Sequence, residues 1–371
     1  MSKRFNYTGY IRRFVSRFPV FNYLLLQIIL WVTAYVFLAV LTHLVLLTAG
    51  TALHADISLR ANLFIALFFG FFIGITSGYI GLLLEKKWSN KALWFILAVR
   101  TFINLVIFIV LISIVRSAIY PYLLKKFFND TNPATLQQSW DAFFYLVLIY
   151  TIVAGLVITF INVVNRKYGP GVLLPILLGR YRNPKEEERF FLFMDLKSST
   201  TIAETLGHLK YSAFIRDSFM DINAVLTMFN ARVYQYAGDE IVVTWTIDEG
   251  FRNLSCIGFF FACEARFKEK SGYYLKGYGQ VPQFKAGLHG GKVTAVEVGD
   301  IKRDIAYHGD TLNTAARIQS ICNKYNKKFL TSGYVLTNTE IGKRFKTESI
   351  GPVELKGKTH PIEIISIDCA T

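Results

Sequence analysis

The sequence predicts two fold classes in one chain: an all-α transmembrane helical domain over residues 1–165 and an α+β domain over 189–371, with a juxtamembrane linker at 166–188 between them. Three observations carry this division. The chain is 53% hydrophobic and only 18% charged, against ~45–50% and ~25% in ordinary soluble domains. Nearly all of the apolar excess lies before residue 165. Beyond it, apolar residues recur with the short alternating and helical periods of a packed soluble domain.

In the first half, four apolar runs, at 21–47, 61–84, 92–115 and 142–164, reach the ~20 residues that cross a hydrocarbon core. The first is too long for a signal-peptide core and is followed by others, so it reads as an uncleaved helix. The net charge of +15 comes in clusters beside these runs: Lys3, Arg4, Arg12, Arg13 and Arg17; then Lys86, Lys87 and Lys91; then Arg166, Lys167, Arg180 and Arg182. With four spans all three clusters share one side, which the positive-inside rule makes cytosolic. Arg116, Lys125 and Lys126 are the smaller cluster opposite. The expectation is a multi-pass protein of the cell (inner) membrane with both termini in the cytoplasm. No zinc-finger, homeodomain or RNP-like pattern accompanies the basic residues, so the expected partner is the lipid bilayer and not nucleic acid.

Gly70, Gly74 and Gly78 recur every four residues and let two helix backbones approach, either across a dimer seam or inside one bundle. Arg100 stands within the third run; it either snorkels to the headgroups or serves a ligand or relay inside the bundle. Gly169, Pro170 and Gly171 end the last helix. The apolar stretch 172–178 then reads as a linker on the membrane surface or as a coupling element. The four cysteines, Cys256, Cys263, Cys322 and Cys369, have no metal-ligand spacing and read as small core residues in a reducing compartment.

The second half predicts a strand at 190–194, a helix at 201–228, and a hairpin of strands 231–236 and 241–245. A helix at 250–269 follows, then a second hairpin, 283–289 and 292–298, bending at Gly290 and Gly291. A helix at 311–326, a strand at 328–330 and closing strands near 345–350 and 362–367 complete it. This order places helices on a mostly antiparallel sheet.

Four segments could carry chemistry. In FLFMDLKSSTT, residues 191–201, Asp195 ends a strand, and Ser198, Ser199 and Thr200 open a helix. They are either phosphate-binding groups at a helix N-terminus or ordinary N-caps. In YQYAGDEIVVTW, residues 234–245, Gly238 and Asp239 occupy the hairpin bend. Asp195 and Asp239 then share one sheet edge, where two carboxylates repel unless cations lie between them, and magnesium prefers such ligands with substrate phosphates. In AYHGDTLNTAARIQ, residues 306–319, Asn313 and Arg317 share a helix face, and the guanidinium suits charge that develops in phosphoryl transfer. In ELKGKTHPIEI, residues 354–364, Lys356 and Lys358 flank a glycine.

Together, in this order and spacing, these segments resemble the catalytic domain of class III adenylyl/guanylyl cyclases over about residues 187–368. The resemblance implies a ferredoxin-like α+β fold and a lyase that forms a 3′,5′-cyclic nucleotide and pyrophosphate. It implies two metal ions per site, Mg2+ or Mn2+, on Asp195, Asp239 and the Leu196 carbonyl. It implies that Asn313 orients the ribose, Arg317 stabilises the transition state and Lys356 binds the triphosphate. It also implies a head-to-tail homodimer, since the metal aspartates and the Asn/Arg helix of one site come from different subunits in that family.

Base choice departs from the pattern. The adenine-reading lysine position is Gln235, and the aspartate or threonine position is Ala306; Asp304 lies nearby. ATP is the expected substrate, with GTP or a pyrimidine triphosphate as alternatives, and a catalytically inactive signalling module as a further one. The run AGDE also resembles the G-G-D-E-F signature of diguanylate cyclases, but Ala237 and Ile241 stand where that signature has glycine and phenylalanine.

Overall fold

The structure, a computed structural model, describes residues 19–48, 55–88, 93–114, 117, 133–168, 179, 181–300, 303–336 and 344–369. The basic N-terminal cluster, Arg116, Lys125, Lys126, Lys91 and the stretch 169–178 lie outside these residues. The chain divides into two compact units, one over Phe18–Leu173 and one chiefly over Leu174–Thr371.

The first unit holds α1 (Pro19–Thr48), α2 (Ala55–Trp88), α3 (Leu93–Ile114) and α4 (Pro133–Tyr168). Three helices are long and apolar enough to cross a membrane, through Val20–Val45, Asn62–Leu84 and Phe144–Asn165. The fourth expected span is α3, whose described apolar stretch, Ala98–Ile114, is shorter. The glycine stripe lies inside the chain: a Cβ on Gly70 would come within 2.5 Å of the Val32 Cα, and one on Gly74 within 2.6 Å of the Ile28 Cα. Only glycine permits that approach of α2 to α1, so the stripe is packing within one bundle. Trp31, Tyr35, Phe69, Ile73, Phe108 and Ile158 fill the bundle core. Arg100 does not point outward to snorkel; it is 4% exposed and turned into the bundle.

The second unit is an eight-stranded sheet carrying helices. In chain order it comprises β1 (Lys185–Leu196), α5 (Ser199–Leu206), α6 (His208–Leu226), β2 (Arg232–Ala237), β3 (Glu240–Thr246), α7 (Ile247–Phe251), α8 (Ser255–Glu269), α9 (Ser271–Tyr278), β4 (Phe284–Val298), β5 (Asp304–His308), α10 (Asp310–Ser320), β6 (Phe329–Ser332), β7 (Phe345–Val353) and β8 (Ile362–Cys369). The strand order is β2-β3-β1-β4-β6-β8-β7, with β5 on β4. Among the described residues only β4 and β6 pair in parallel. Side chains alternate across β1. Phe190, Leu192, Met194 and Leu196 enter the main core with Phe214, Ile222, Trp245 and Phe259. Phe191 and Phe193 join Val242, Val293 and Ala315 of α10 in a second cluster on the other face. Burial on both faces explains why β1 reads as an almost unbroken apolar run.

Several expectations change. The hairpin bending at Gly290 and Gly291 is a single strand, β4, paired to β1 without interruption from Lys185↔Ala295 to Leu196↔Phe284. The two glycines make room instead of a turn. A Cβ on Gly290 would lie 2.5 Å from the Phe190 ring, and one on Gly291 2.7 Å from the Thr311 hydroxyl. The helix expected at 201–228 is split at Gly207, whose φ of 72° ends α5 and starts α6. The helix expected at 250–269 is broken: its first two residues end α7, and α8 begins at Ser255 after Asn253 and Leu254 both take positive φ. β1 starts at Lys185, inside the charged run assigned to the linker. The helix expected at 311–326 ends at Ser320, and β5 is an added strand. The four cysteines are free, three of them buried.

Candidate active site

Asp195 is the penultimate residue of β1, on the face that carries Phe193 and Phe191. Its direct neighbours across the sheet are Glu240 on β3 and Lys285 on β4. Asp239 stands beside Glu240 in the two-residue turn that leaves β2, where Gly238 takes φ 62° at no steric cost. The turn brings Asp239 against Asp195. Burial raises the Asp195 carboxyl above the usual carboxylate range, and the Asp239 charge raises it further; Lys285 and a hydrogen bond with Gln319 of α10 oppose this. Glu240 is pushed up to about 7 by burial and by the charges of Asp195 and Asp239. Three acids thus crowd one strand edge with one internal cation, Lys285, which is buried and donates to Asn323 Oδ1 at 2.8 Å. Uncompensated repulsion of this kind is what a divalent cation relieves. Among the described residues no group of three or more His, Cys, Asp or Glu side chains forms a metal cage. The candidate is therefore the aspartate pair, with backbone oxygen such as that of Leu196, whose side chain is core.

Ser198 caps α5 in a left-handed conformation, φ 59° and ψ 33°, and its side chain makes no capping hydrogen bond. The N-cap alternative therefore fails for its hydroxyl. Ser199 hydrogen-bonds Tyr211 of α6, and the Tyr211 hydroxyl is raised by burial and then by Asp239. Thr200 is exposed. Gly287 on β4 admits α10 closely, since a Cβ there would lie 2.2 Å from the Gln319 nitrogen. That approach is what carries Gln319 to Asp195.

Arg317 goes elsewhere. Its guanidinium lies against Gly357, where a Cβ would sit 3.3 Å from Arg317 Nη2. Gly357, with φ 73°, is the turn between Lys356 and Lys358. Lys358 is ion-paired with Asp310 at the start of α10, whereas Lys356 is exposed and has no ion pair among the described residues. Asn313 is exposed one turn before Arg317. The sequence-predicted residues thus fall into two groups within one chain. Asp195, Asp239, Leu196 and the Ser198–Thr200 turn form one; Asn313, Arg317 and Lys356 form the other.

Gln235 pairs with Val242, which places it on the Asp195 face; Tyr234 is an extra residue at a register shift and joins the same side. Ala306 pairs with Val296 on β5. The two strands meet through their neighbours Tyr234 and Tyr307, with ring centroids 5.2 Å apart. Sequence reasoning missed Glu240, Lys285, Gln319 and Tyr211. Glu240 was legible as the fourth letter of AGDE; the others reach the site only through the sheet register and helix packing.

Residues 183–366 match the family described as "Adenylate and Guanylate cyclase catalytic domain". The chain is 34% identical over 221 residues to adenylate cyclase 2 of Rhizobium meliloti (strain 1021), covering 60% of this chain and 61% of that protein. It is 24% identical over 184 residues to adenylate cyclase 1 of the same organism, covering 47% of this chain and 27% of the other. The chain therefore spans less than two thirds of the length of either relative. The solved structure of a bacterial light-regulated adenylyl cyclase shares the fold, with TM-score 0.50 and 18% identity over 59% of this chain and 64% of that one. The sheet and its helices share that fold, and residues 183–366 form a domain of the adenylate and guanylate cyclase catalytic family.

Proposed function

We propose that the chain is a membrane-anchored adenylate cyclase that forms 3′,5′-cyclic AMP and pyrophosphate from ATP as a homodimer. The observation that carries this reading is the division of functional residues into two groups on one chain. Arg317 lies against the Gly357 turn, which supports a site completed by a partner's α10. A head-to-tail pair of identical chains supplies two such sites.

Asp195 and Asp239 fit a site for two divalent cations, Mg2+ or Mn2+, because both are hard oxygen donors already held in mutual repulsion. Bound there with the Leu196 carbonyl, the cations would supply neutralisation of the triphosphate and a lower pKa for the ribose 3′-hydroxyl. The chain's own residues do the rest. Asn313 orients the ribose so that its 3′-oxygen faces the α-phosphorus in line. As that oxygen–phosphorus bond forms, the bond to the β-phosphate oxygen breaks, the hydroxyl proton passes to solvent and pyrophosphate leaves. Arg317 meets the charge that grows on the α-phosphate. Lys356 and the α5 N-terminus with Ser198, Ser199 and Thr200 hold the β- and γ-phosphates.

ATP follows from the two curated relatives, both named adenylate cyclases. Gln235 offers an amide donor and acceptor on the site face, and Ala306 offers backbone groups only. The basic clusters support a cytoplasmic catalytic unit on the inner membrane, with α3 as the fourth span. Mixing an Asp195→Ala chain with an Arg317→Ala chain tests the shared site. About a quarter of wild-type activity should return, because half of randomly formed dimers are mixed and each has one intact site. No return of activity in confirmed mixed dimers would refute the arrangement. Incubating the full chain with Mn2+ and each of ATP, GTP, CTP and UTP names the base, and silence with all four in a dimeric sample would favour an inactive module.

A further inference from the structure

A guanidinium stays charged at any pH a protein survives, so its burial is costly unless an anion meets it. Arg100 is buried inside the helical unit, yet its partners are neutral. Its Nη2 donates to Gln27 Oε1 at 2.7 Å and to Ser77 Oγ at 3.3 Å. Gln27 is in turn tied to Asn162, donating to its Oδ1 at 2.8 Å, and Asn104 donates to Ser77 Oγ at 3.1 Å. All five residues are at most 5% exposed. Among the described residues Arg100 forms no ion pair with a carboxylate.

The same cluster leaves polar atoms unfilled. Arg100 Nε, Asn104 Oδ1 and the Tyr23 hydroxyl are buried with no hydrogen-bond partner. Two of these side chains converge on a place where α2 has no side chain. A Cβ on Gly81 would lie 2.6 Å from the Tyr23 hydroxyl and 3.5 Å from the Arg100 guanidinium carbon. A charged donor and an unfilled hydroxyl therefore meet against the bare α2 backbone at Gly81 inside the bundle, and an unfilled acceptor sits one helical turn along from Arg100.

We propose that Arg100 and Tyr23, packed against α2 at Gly81, form an anion-binding site in the helical unit, for a small ligand or lipid headgroup that presents carboxylate or phosphate oxygens. The anionic oxygen takes the guanidinium Nε and the Tyr23 hydroxyl as donors. A hydroxyl on the same ligand fills Asn104 Oδ1. Such a ligand supplies the charge that Gln27 and Ser77 cannot, and satisfies the orphaned groups in one step. The site makes the helical unit a receiver of a chemical signal as well as an anchor.

The test uses the full chain in phosphatidylcholine nanodiscs, with unfolding followed by tryptophan fluorescence. Sodium acetate and inorganic phosphate are titrated against matched sodium chloride, and a separate nanodisc preparation contains phosphatidylglycerol. At least one probe should raise the unfolding midpoint saturably by about 3 °C or more. A soluble anion acting alone identifies a free ligand; phosphatidylglycerol acting alone identifies a headgroup. Arg100→Gln should abolish the shift and Arg100→Lys should retain part of it. Gly81→Ala keeps the guanidinium and displaces the Tyr23 hydroxyl, so it should lose the shift even if Arg100→Gln does not fold. No shift with any probe, or an unchanged shift in Gly81→Ala or Arg100→Gln, overturns the proposal.

Discussion

Replacing Glu240 by glutamine isolates the electrostatic cost built into the acidic strand edge. Glu240 lies directly across from Asp195, and its carboxyl is pushed up from 4.5 to about 7 by burial and by both aspartates. In the cation-free protein the folded state therefore holds a proton that the unfolded chain releases. Below about pH 4.5 both states are protonated and the group contributes nothing. As pH rises from there to about 7, folding must retain that proton, so stability falls; above 7 the full penalty remains. The rise corresponds to a ceiling of about 3 kcal/mol. Glu240 is only half-buried, and solvent screening reduces the expected penalty to about 1–2 kcal/mol. Glu240→Gln removes it with little change in volume. Urea unfolding with EDTA present should show the variant about 1–2 kcal/mol more stable than the parent at pH 8, with the gap closing toward pH 5. Adding Mn2+ at pH 8 should stabilise the parent more than the variant, because the cation relieves the repulsion. Equal stability at pH 8, or a variant weaker at every pH, would refute the claim that these acids repel one another.

Arg317→Ala should lower kcat by at least about 100-fold while KM for ATP changes less than about threefold, because the guanidinium acts on charge that appears in the transition state; a matched loss in both, from steady-state kinetics, contradicts that role. Gly290→Ala places a methyl 2.5 Å from the Phe190 ring and should cost about 1–3 kcal/mol in chemical denaturation, whereas a true turn glycine in a solvent-facing hairpin would tolerate it. Gly74→Leu forces α2 off the Ile28 backbone and should lower the thermal midpoint of the nanodisc-held chain; an unchanged midpoint would return the stripe to a role between chains. Asp195→Asn should abolish tight Mn2+ binding, read by calorimetry, and leave the cation-free fold intact, since the substitution removes one partner of a repelling pair.

Much of the site was legible because its residues lie in short segments whose local chemistry is distinctive. Asp195 ends a strand, Asp239 needs a two-residue turn with glycine, and Asn313 and Arg317 need only a helix. The rest depended on contacts distant in sequence. Gly290-Gly291 looks like a bend to any local reading; that it admits Phe190 and Thr311 is a fact about packing. Lys285 becomes a site residue only once β4 takes its register beside β1. Arg100 read first as a residue snorkelling to the headgroups, until α1, α2 and α4 surrounded it with Gln27, Ser77 and Asn162.

The pairing of Lys358 with Asp310 has a bearing on turnover. Lys356 and Lys358 flank Gly357, and Asp310 claims the second, leaving Lys356 as the lysine of that turn with no ion pair among the described residues. On the proposed function, a polyphosphate product would be gripped once there rather than twice. Releasing Lys358 would strengthen the hold on pyrophosphate as much as on the substrate, and the enzyme would trade its exit rate for affinity. On that proposal Asp310 would act as a governor on departure, set by one ion pair at the start of α10.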